Sequence, residues 1–457
     1  MRQFATCTRV GPVFSTSGAR RVAIVTAALV LCALVLCALV LCALGCTEDP
    51  PSNDEKADVA KVSTTPAAER STAAYEAAKA IPIAFVEDRV TVLADDSMQG
   101  RDNLTEGGKA ARTWLLGDLK NLGLAPAFAG GFEQAFDKGI NLCFTIPGDD
   151  EKLAAEYVVI GAHYDHLGMV DATGKGKSKC PQAKDKDGKP SADTICNGAI
   201  DNAAGVAAVL LVAKALKTAK HKTRRSVIGC LFDAEEDGLL GSYHFVANPP
   251  VPLDQIVAMF SVDNVGSRIF SDHTSSFATD AEYSKALRDH VLAASKRTGF
   301  QTWPVSSFFV GQPGGGRSDH LPFRQKGIPV LFFGSGSSSV YHTTADQLSS
   351  VDFTKLLATA RHAALVTADV ANHEDRPDFS AKPKPHLDDA RAMVAIADKV
   401  IANPKGLGLN DAQVDLLKTW RADLQKWLDK PPTTAAQWKE YDDLVRGIIT
   451  AVYVFGA

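Results

Sequence analysis

The chain lacks a basic footprint: 49 Lys and Arg stand against 53 Asp and Glu, for a formal charge of −4. Phosphate recognition needs such a footprint, so no nucleic-acid partner is expected. Acids are missing altogether from residues 1–46, which hold Arg2, Arg9, Arg20 and Arg21 and leave the remainder at about −8. Large apolar side chains are sparse over residues 47–71, where Pro, Ser, Thr, Ala and charge dominate. Such a segment cannot bury a core and reads as a disordered tether over residues 47–73. Cysteine is scarce in the body of the chain. Cys7, Cys32, Cys37 and Cys42 lie near the N-terminus and Cys46 follows them, leaving only Cys143, Cys180, Cys196 and Cys230. Four cysteines allow three pairings, and spacing does not choose rigorously among them. Cys180 and Cys196 bracket a polar insert and are expected to close it, whereas Cys230, inside an apolar run, reads as core.

What is present at the N-terminus is an uninterrupted apolar run from Val22 to Leu44, behind a positive flank. That order is an export signal. The run is long enough to span a bilayer as a helix. It ends in Ala43-Leu44-Gly45-Cys46 and turns polar at Thr47, a junction that resembles a bacterial lipobox. The expectation is a signal segment over residues 1–46, with lipid on Cys46 or an uncleaved signal anchor as the alternative. Both place the rest of the chain outside the cytoplasm, at a bacterial cell envelope, and permit disulfides.

The 457 residues, 46% hydrophobic, suffice for one large domain with additions or for two to three average ones. A helix is expected over Lys109–Leu122 and another over Asn202–Leu216. Short apolar runs at Tyr157–Ala162, Arg225–Phe232, Gln255–Val262 and Ile328–Phe333 read as strands covered on both faces. Strand, helix and strand in succession predict an α/β fold, a mostly parallel sheet with helices on both faces. The main domain is expected over residues 74–375. Residues 376–457 carry helical patterns at Leu387–Ile401, Asp411–Leu428 and Thr434–Phe455, an accessory helical segment whose apolar end is expected to pack on the main domain.

Chemistry concentrates where apolar runs end. The segments read Gly161-Ala162-His163-Tyr164-Asp165-His166, Gly198-Ala199-Ile200-Asp201-Asn202, Phe232-Asp233-Ala234-Glu235-Glu236-Asp237, Val262-Asp263-Asn264 and Tyr341-His342-Thr343. Sites in open parallel sheets assemble beyond the carboxyl ends of the strands. His nitrogen mixed with Asp and Glu oxygen suits zinc. Asp165, two residues past His163, is placed to accept that histidine's second ring proton. Two neighbouring metals need a bridging carboxylate, and the adjacent Glu235 and Glu236 let one bind metal while the other handles protons. His166 and His320 are expected beside the site, and His221, His244, His273, His290 and His362 to be ordinary solvated or hydrogen-bonded residues.

With Asp95-Asp96-Ser97-Met98-Gln99-Gly100-Arg101 early and Gly316-Arg317-Ser318-Asp319-His320 late, these motifs resemble the M28 peptidases from about Leu93 to Phe353. The resemblance implies a zinc exopeptidase-like fold and two zinc ions per chain. Asp201 would bridge them, one zinc adding His163 and Asp263, the other Glu236 and His342. It implies Glu235 as general base, Tyr341 as a donor to the developing oxyanion, and a peptide as substrate, trimmed from its amino end. The polar stretch from Gly168 to Asn197 departs from the family pattern and is expected to border the mouth of the site.

The alternatives are distinguishable. M20 peptidases use similar ligands but insert a dimerisation domain before the last histidine, and only 79 residues separate Asp263 from His342. A glutaminyl cyclase-like enzyme would need one zinc rather than two. A non-catalytic peptide-binding envelope lipoprotein would be expected to have broken ligands. Gly311–Ser318 nearly spells a phosphate loop, but arginine replaces its lysine, and Asp319 and Pro322 stand where a helix should begin.

Overall fold

The structure is a computed structural model that describes residues 65–455, apart from 171–178, 186, 272, 308–317 and 337. The signal segment with Cys46, part of the polar insert, and Gly311–Arg317 therefore lie outside the described residues.

The sheet follows from the apolar runs. β1 (Ala125–Pro126), β2 (Glu133–Phe136) and β3 (Gly139–Ile146) precede β4 (Tyr157–His163), β5 (Ser226–Phe232) and β6 (Ile256–Val262). β7 (Ser276–Thr279), β8 (Thr302–Pro304) and β9 (Val330–Gly334) complete nine strands among the described residues. The spatial order is β1-β3-β5-β4-β6-β9-β7-β8, with β2 paired to β3. Strands β5, β4, β6 and β9 are mutually parallel. β3 runs antiparallel to β5, and β7 antiparallel to β9, so the sheet is mixed with a parallel centre.

Every residue of β5, β6 and β9 is buried, because helices cover both faces. Alternate side chains of each strand point to opposite faces. On one face Ile160, Leu231, Phe260 and Phe333 join the cluster of α1 (Ala67–Ala80), α2 (Ala84–Leu93), α3 (Glu106–Asn121) and α4 (Gly205–Thr218). On the other, Val159, Cys230, Met259 and Val330 meet Phe245 and Val246 of α5 (Leu240–Ala247). Helices α6 (Lys285–Thr298), α7 (Leu321–Gln325) and α8 (Phe353–Asn372) close the domain. Helix α4 is apolar for most of its length because other elements enclose it: of its residues only Lys214, Lys217 and Thr218, near its end, are not buried.

Three expectations need correction, the third being the packing of the C-terminal helices described below. The chain is already helical at Ala67, so the tether does not reach residue 73. Small alanines, Ala74 and Ala78, let α1 sit close to the core, and buried Arg70 donates to the Thr65 carbonyl. Cys230 is not merely core. It stands opposite Cys143 across the β3–β5 pair and is disulfide-bonded to it, while Cys180 pairs with Cys196 as expected.

The described residues form one compact unit. Its C-terminal helices α9 (Asp388–Ala402), α10 (Asp411–Asp429) and α11 (Ala435–Phe455) have a core of their own around Ala390, Leu424 and Tyr441. Ile448 and Ile449 belong to that core rather than to the face of the sheet. The two cores meet where Ala392 packs against Phe277 and Val305.

Candidate metal centre

Four of the five expected ligands stand at or just past the carboxyl ends of parallel strands or on the turn entering α4, and His342 comes from the loop after β9. His163 Nε2 lies 3.2 Å from Asp201 Oδ1 and 3.5 Å from Asp263 Oδ1. From the other side, His342 Nε2 lies 3.0 Å from Asp201 Oδ2 and 3.2 Å from Glu236 Oε2. Donor atoms around a tetrahedral zinc, each about 2.0–2.1 Å from the ion, are separated by about 3.3 Å. The observed spacings scatter around that value. Asp201 turns one oxygen to each histidine, as a bridging carboxylate must.

The backbone bends sharply to deliver these groups. Ala234, Asn264 and His342 itself adopt the left-handed conformation with φ of 56°, 53° and 56°. Side chains other than glycine's rarely occupy that region, and such residues gather at functional sites. The Asp201–Asn202 peptide is cis. The Asn202 side chain donates to the Val262 carbonyl and accepts from the Gly205 N–H, which ties the Asp201 turn to the strand end that carries Asp263.

Asp165 lies beside His163 as expected and serves a second partner too. The His163 Nδ1 lies 3.2 Å from the main-chain oxygen of Asp165, while the Asp165 carboxylate is 3.6 Å away. That carboxylate also accepts the main-chain N–H groups of Glu235 and Glu236 at 3.1 and 3.2 Å. The turn after β5 presents two successive N–H groups, and the buried carboxylate satisfies both. His166 stands beside the site as expected, its Nδ1 2.8 Å from Glu236 Oε1. The Tyr341 ring is stacked on the His342 ring, with centroids 3.9 Å apart. Burial, and then Asp201, Asp263 and Glu236, raise the Tyr341 hydroxyl's pKa, so the phenol keeps its proton and remains a donor.

The electrostatics show that a cation fits. Burial pushes Glu235 well above the usual carboxylate range; His163 opposes this, while Glu236, Asp263 and Asp319 add to it. Burial alone would make the histidines harder to protonate. Glu235 and Asp263 nevertheless hold His163 well above its ordinary pKa, and Asp201 and Glu236 carry His342 to about 10. Glu236, despite burial and the neighbouring Asp201, falls to about 2 because His166 and His342 face it. Acids exceed the fixed positive charge near them, and the imidazoles must carry the balance as protons. Divalent ions would supply the same charge while leaving the imidazole nitrogens free to coordinate.

The roles of two positioning residues and of one further buried acid were not identified from sequence. Arg101, fully buried, donates from Nε to the Tyr164 carbonyl and from Nη2 to the Gly198 carbonyl, at 2.8 and 2.9 Å. It also donates to the carbonyls of Leu93 and Asn197. One guanidinium thus clamps the residue after His163 to the segment leading to Asp201. The quoted motif contains Arg101, but nothing in it names these acceptors. Asp346 accepts the N–H groups of Ile200 and Asp201 at 2.9 and 3.0 Å and so fixes the bridging residue from the loop that bears His342. Asp319, from the second quoted motif, is a buried acid raised to about 7 by burial, with Asp165 and Asp263 adding to the rise and His163 and Ser242 opposing it. It acts electrostatically on Glu235.

Residues 141–367 match the family model described as Peptidase family M28. Leupeptin-inactivating enzyme 1 of Streptomyces exfoliatus is 25% identical over 326 residues, 64% of this chain and 64% of that protein. Leucine aminopeptidase 1 of Ajellomyces capsulatus is 26% identical over 273 residues, 56% of this chain and 63% of that protein. The chain therefore spans less than two thirds of the length of these relatives. The solved LapA aminopeptidase of Legionella pneumophila shares the fold, with a TM-score of 0.50 at 17% identity over 70% of this chain and 79% of that one. The matched residues include all five converging side chains, and over residues 141–367 the chain belongs to peptidase family M28.

Proposed function

We propose that this chain is a two-zinc aminopeptidase working outside the cytoplasm, held at a bacterial membrane by lipid on Cys46 or by an uncleaved N-terminal anchor. The observation that carries the catalytic part is the Asp201 carboxylate, one oxygen facing His163, which also meets Asp263, and the other facing His342, which also meets Glu236. Zinc held there would act as a Lewis acid and bring the pKa of water toward neutrality. The rest of the chemistry belongs to the chain. Glu235 sits on the turn fixed by Asp165, in surroundings that strengthen its hold on a proton, as a general base must when it accepts one and delivers it to the leaving amine. The protonated Tyr341 phenol donates toward the carbonyl oxygen of the scissile bond. Names of relatives support the amino end as the point of attack, and the two disulfides support an oxidising compartment.

The test is a panel of free and N-blocked peptides assayed with and without a chelator, alongside elemental analysis. Release of N-terminal residues from free peptides only, abolished by chelation, with two zinc ions per chain, is expected. One zinc with cyclisation of N-terminal glutamine, or metal-independent binding without turnover, would overturn the proposal. Mass spectrometry of the membrane fraction should find the mature chain starting at a lipid-bearing Cys46, with processing lost in Cys46→Ser. An intact N-terminal segment there would select the anchor.

A further inference from the structure

The polar insert does more than border the mouth. Its described residues 179–185 and 187–196 touch both loops that carry the second pair of candidate ligands. At one end, Lys179 Nζ lies 2.5 Å from Asp237 Oδ1 and 3.0 Å from Asp102 Oδ1. Asp237 directly follows Glu236, and Asp102 directly follows the clamp Arg101. At the other end, buried Thr344, two residues past His342, donates its N–H to the Pro181 carbonyl at 3.1 Å. Its hydroxyl receives the Ala183 N–H at 3.0 Å. Gln347 Nε2 reaches Asp193 Oδ2 at 2.8 Å, and Gln347 Oε1 accepts from Asn197 Nδ2 at 2.8 Å. The Cys180–Cys196 disulfide closes the segment between these contacts, and the Cys196 N–H is donated to the Gly168 carbonyl at 3.0 Å.

We propose that this disulfide-closed strap positions Glu236 and His342 against each other, with Lys179 as its positioning residue. The proposal rests on the two-metal reading for its site selectivity. Of these contacts, those to Asp237, Thr344 and Gln347 fall on the Glu236 and His342 loops, while His163 and Asp263 are set by β4 and β6. Loss of Lys179 would do more than free one contact. Asp102 and Asp237 are drawn onto a single ammonium, and once it is gone two like charges push the Glu236 loop outward. Cutting the disulfide would instead slacken the strap, so that Pro181 and Ala183 no longer hold Thr344. Groups that orient ligands in this way are commonly worth roughly 10–100-fold in metal affinity.

The experiment uses the full chain in detergent as wild type, Lys179→Met, Lys179→Arg and the Cys180→Ser/Cys196→Ser pair. Zinc affinities are read by chelator competition, and the metal-free protein by amide hydrogen exchange. Lys179→Met and the cysteine pair should each weaken one of two zinc affinities by roughly 10–100-fold and leave the other unchanged. In the metal-free chain, exchange should rise in peptides covering 235–239 and 342–347 but not across 256–263. Lys179→Arg, which keeps the charge, should restore both readouts. Exchange unchanged in the two loops, exchange raised equally across β6, or an arginine variant as defective as the methionine one would each overturn the proposal. A wild type holding a single zinc would refute the two-metal reading, and the exchange data would still decide the strap.

Discussion

Glu235→Gln is the sharpest perturbation available, because it exchanges a carboxylate for an amide of the same shape. The main-chain N–H of Glu235, which holds the turn to Asp165, is untouched by the change. Both Glu236 oxygens face imidazoles, at 2.8 Å from His166 and 3.2 Å from His342, which marks Glu236 as the ligand of the pair. Glu235 is instead distinguished by its hold on a proton: burial raises its pKa, and Glu236, Asp263 and Asp319 outnumber the opposing His163. A glutamine there can neither accept nor release that proton. General acid–base catalysis is worth roughly 10²–10⁴-fold, or about 2.7–5.4 kcal/mol at 1.36 kcal/mol per tenfold. The expected result is a kcat reduced by that factor, little change in KM, and zinc retained near the wild-type amount. Glu236→Ala should instead lose metal from one position. Steady-state kinetics on a free peptide, paired with elemental analysis of the same preparations, reads both effects. The complication is that His163, Glu235 and Glu236 also place donor atoms within 4.8 Å of one another, so Glu235 is close enough to coordinate. If Glu235→Gln loses zinc while Glu236→Gln stays active, the two roles are exchanged and the reasoning from imidazole contacts fails.

Tyr341→Phe should lower kcat by roughly 10²-fold with KM and zinc content unchanged, since an oxyanion donor acts chiefly in the transition state. An unaltered kcat would reduce Tyr341 to a ring packed on His342. Asp346→Asn can accept only one of the two N–H groups that now fix Ile200 and Asp201, so zinc affinity should fall roughly 10–100-fold in a chelator competition. Unchanged affinity would mean that the Asp201 turn holds itself. Asp389, which accepts the N–H and hydroxyl of Ser306, is raised by burial from 3.8 to about 7. It binds its proton more tightly folded than unfolded, so its contribution is complete below about pH 4 and is lost as pH rises through about 7. Denaturant titrations should therefore show Asp389→Asn gaining on wild type with rising pH, by up to about 1.4 kcal/mol per unit within that window. A pH-independent difference would rule this out.

The parallel centre of the sheet was legible because burial on both faces leaves few residue types to choose from. Tyr157–Ala162 and Gln255–Val262 lie within a residue of the strands observed. β3 was not read, although Leu142 and Phe144 are fully buried, and without it the Cys143–Cys230 bond had no visible basis. The start of α1 was missed for the opposite reason. Residues 67–73 contain no large apolar side chain, so their helix is decided by what they touch. Arg70 pairs with Asp149, 79 residues away, and no local pattern contains that partner.

The same division runs through the candidate centre. Zinc restricts its ligands to a few side chains, so His163, Asp201, Glu236, Asp263 and His342 stood out as candidates by type, and the resemblance to the M28 peptidases grouped them. What brings them together is not written in type. The Arg101 side chain reaches Gly198 across 97 positions and Tyr164 across 63, and Asp346 reaches back 145 positions to Asp201. An arginine in a loop is ordinarily a solvated cation. Here complete burial lowers its pKa to about 10, while Asp346 and Asp201 nearby oppose that fall and keep it charged. A buried guanidinium needs acceptors, and the four carbonyls it takes belong to the helix before the motif, the residue after His163 and the turn before Asp201. Its charge and the ligand geometry are therefore one problem: satisfying the first fixes the second. That coupling exists only once three separate segments have met, so the ligands could be named from the sequence before the residues that hold them in place.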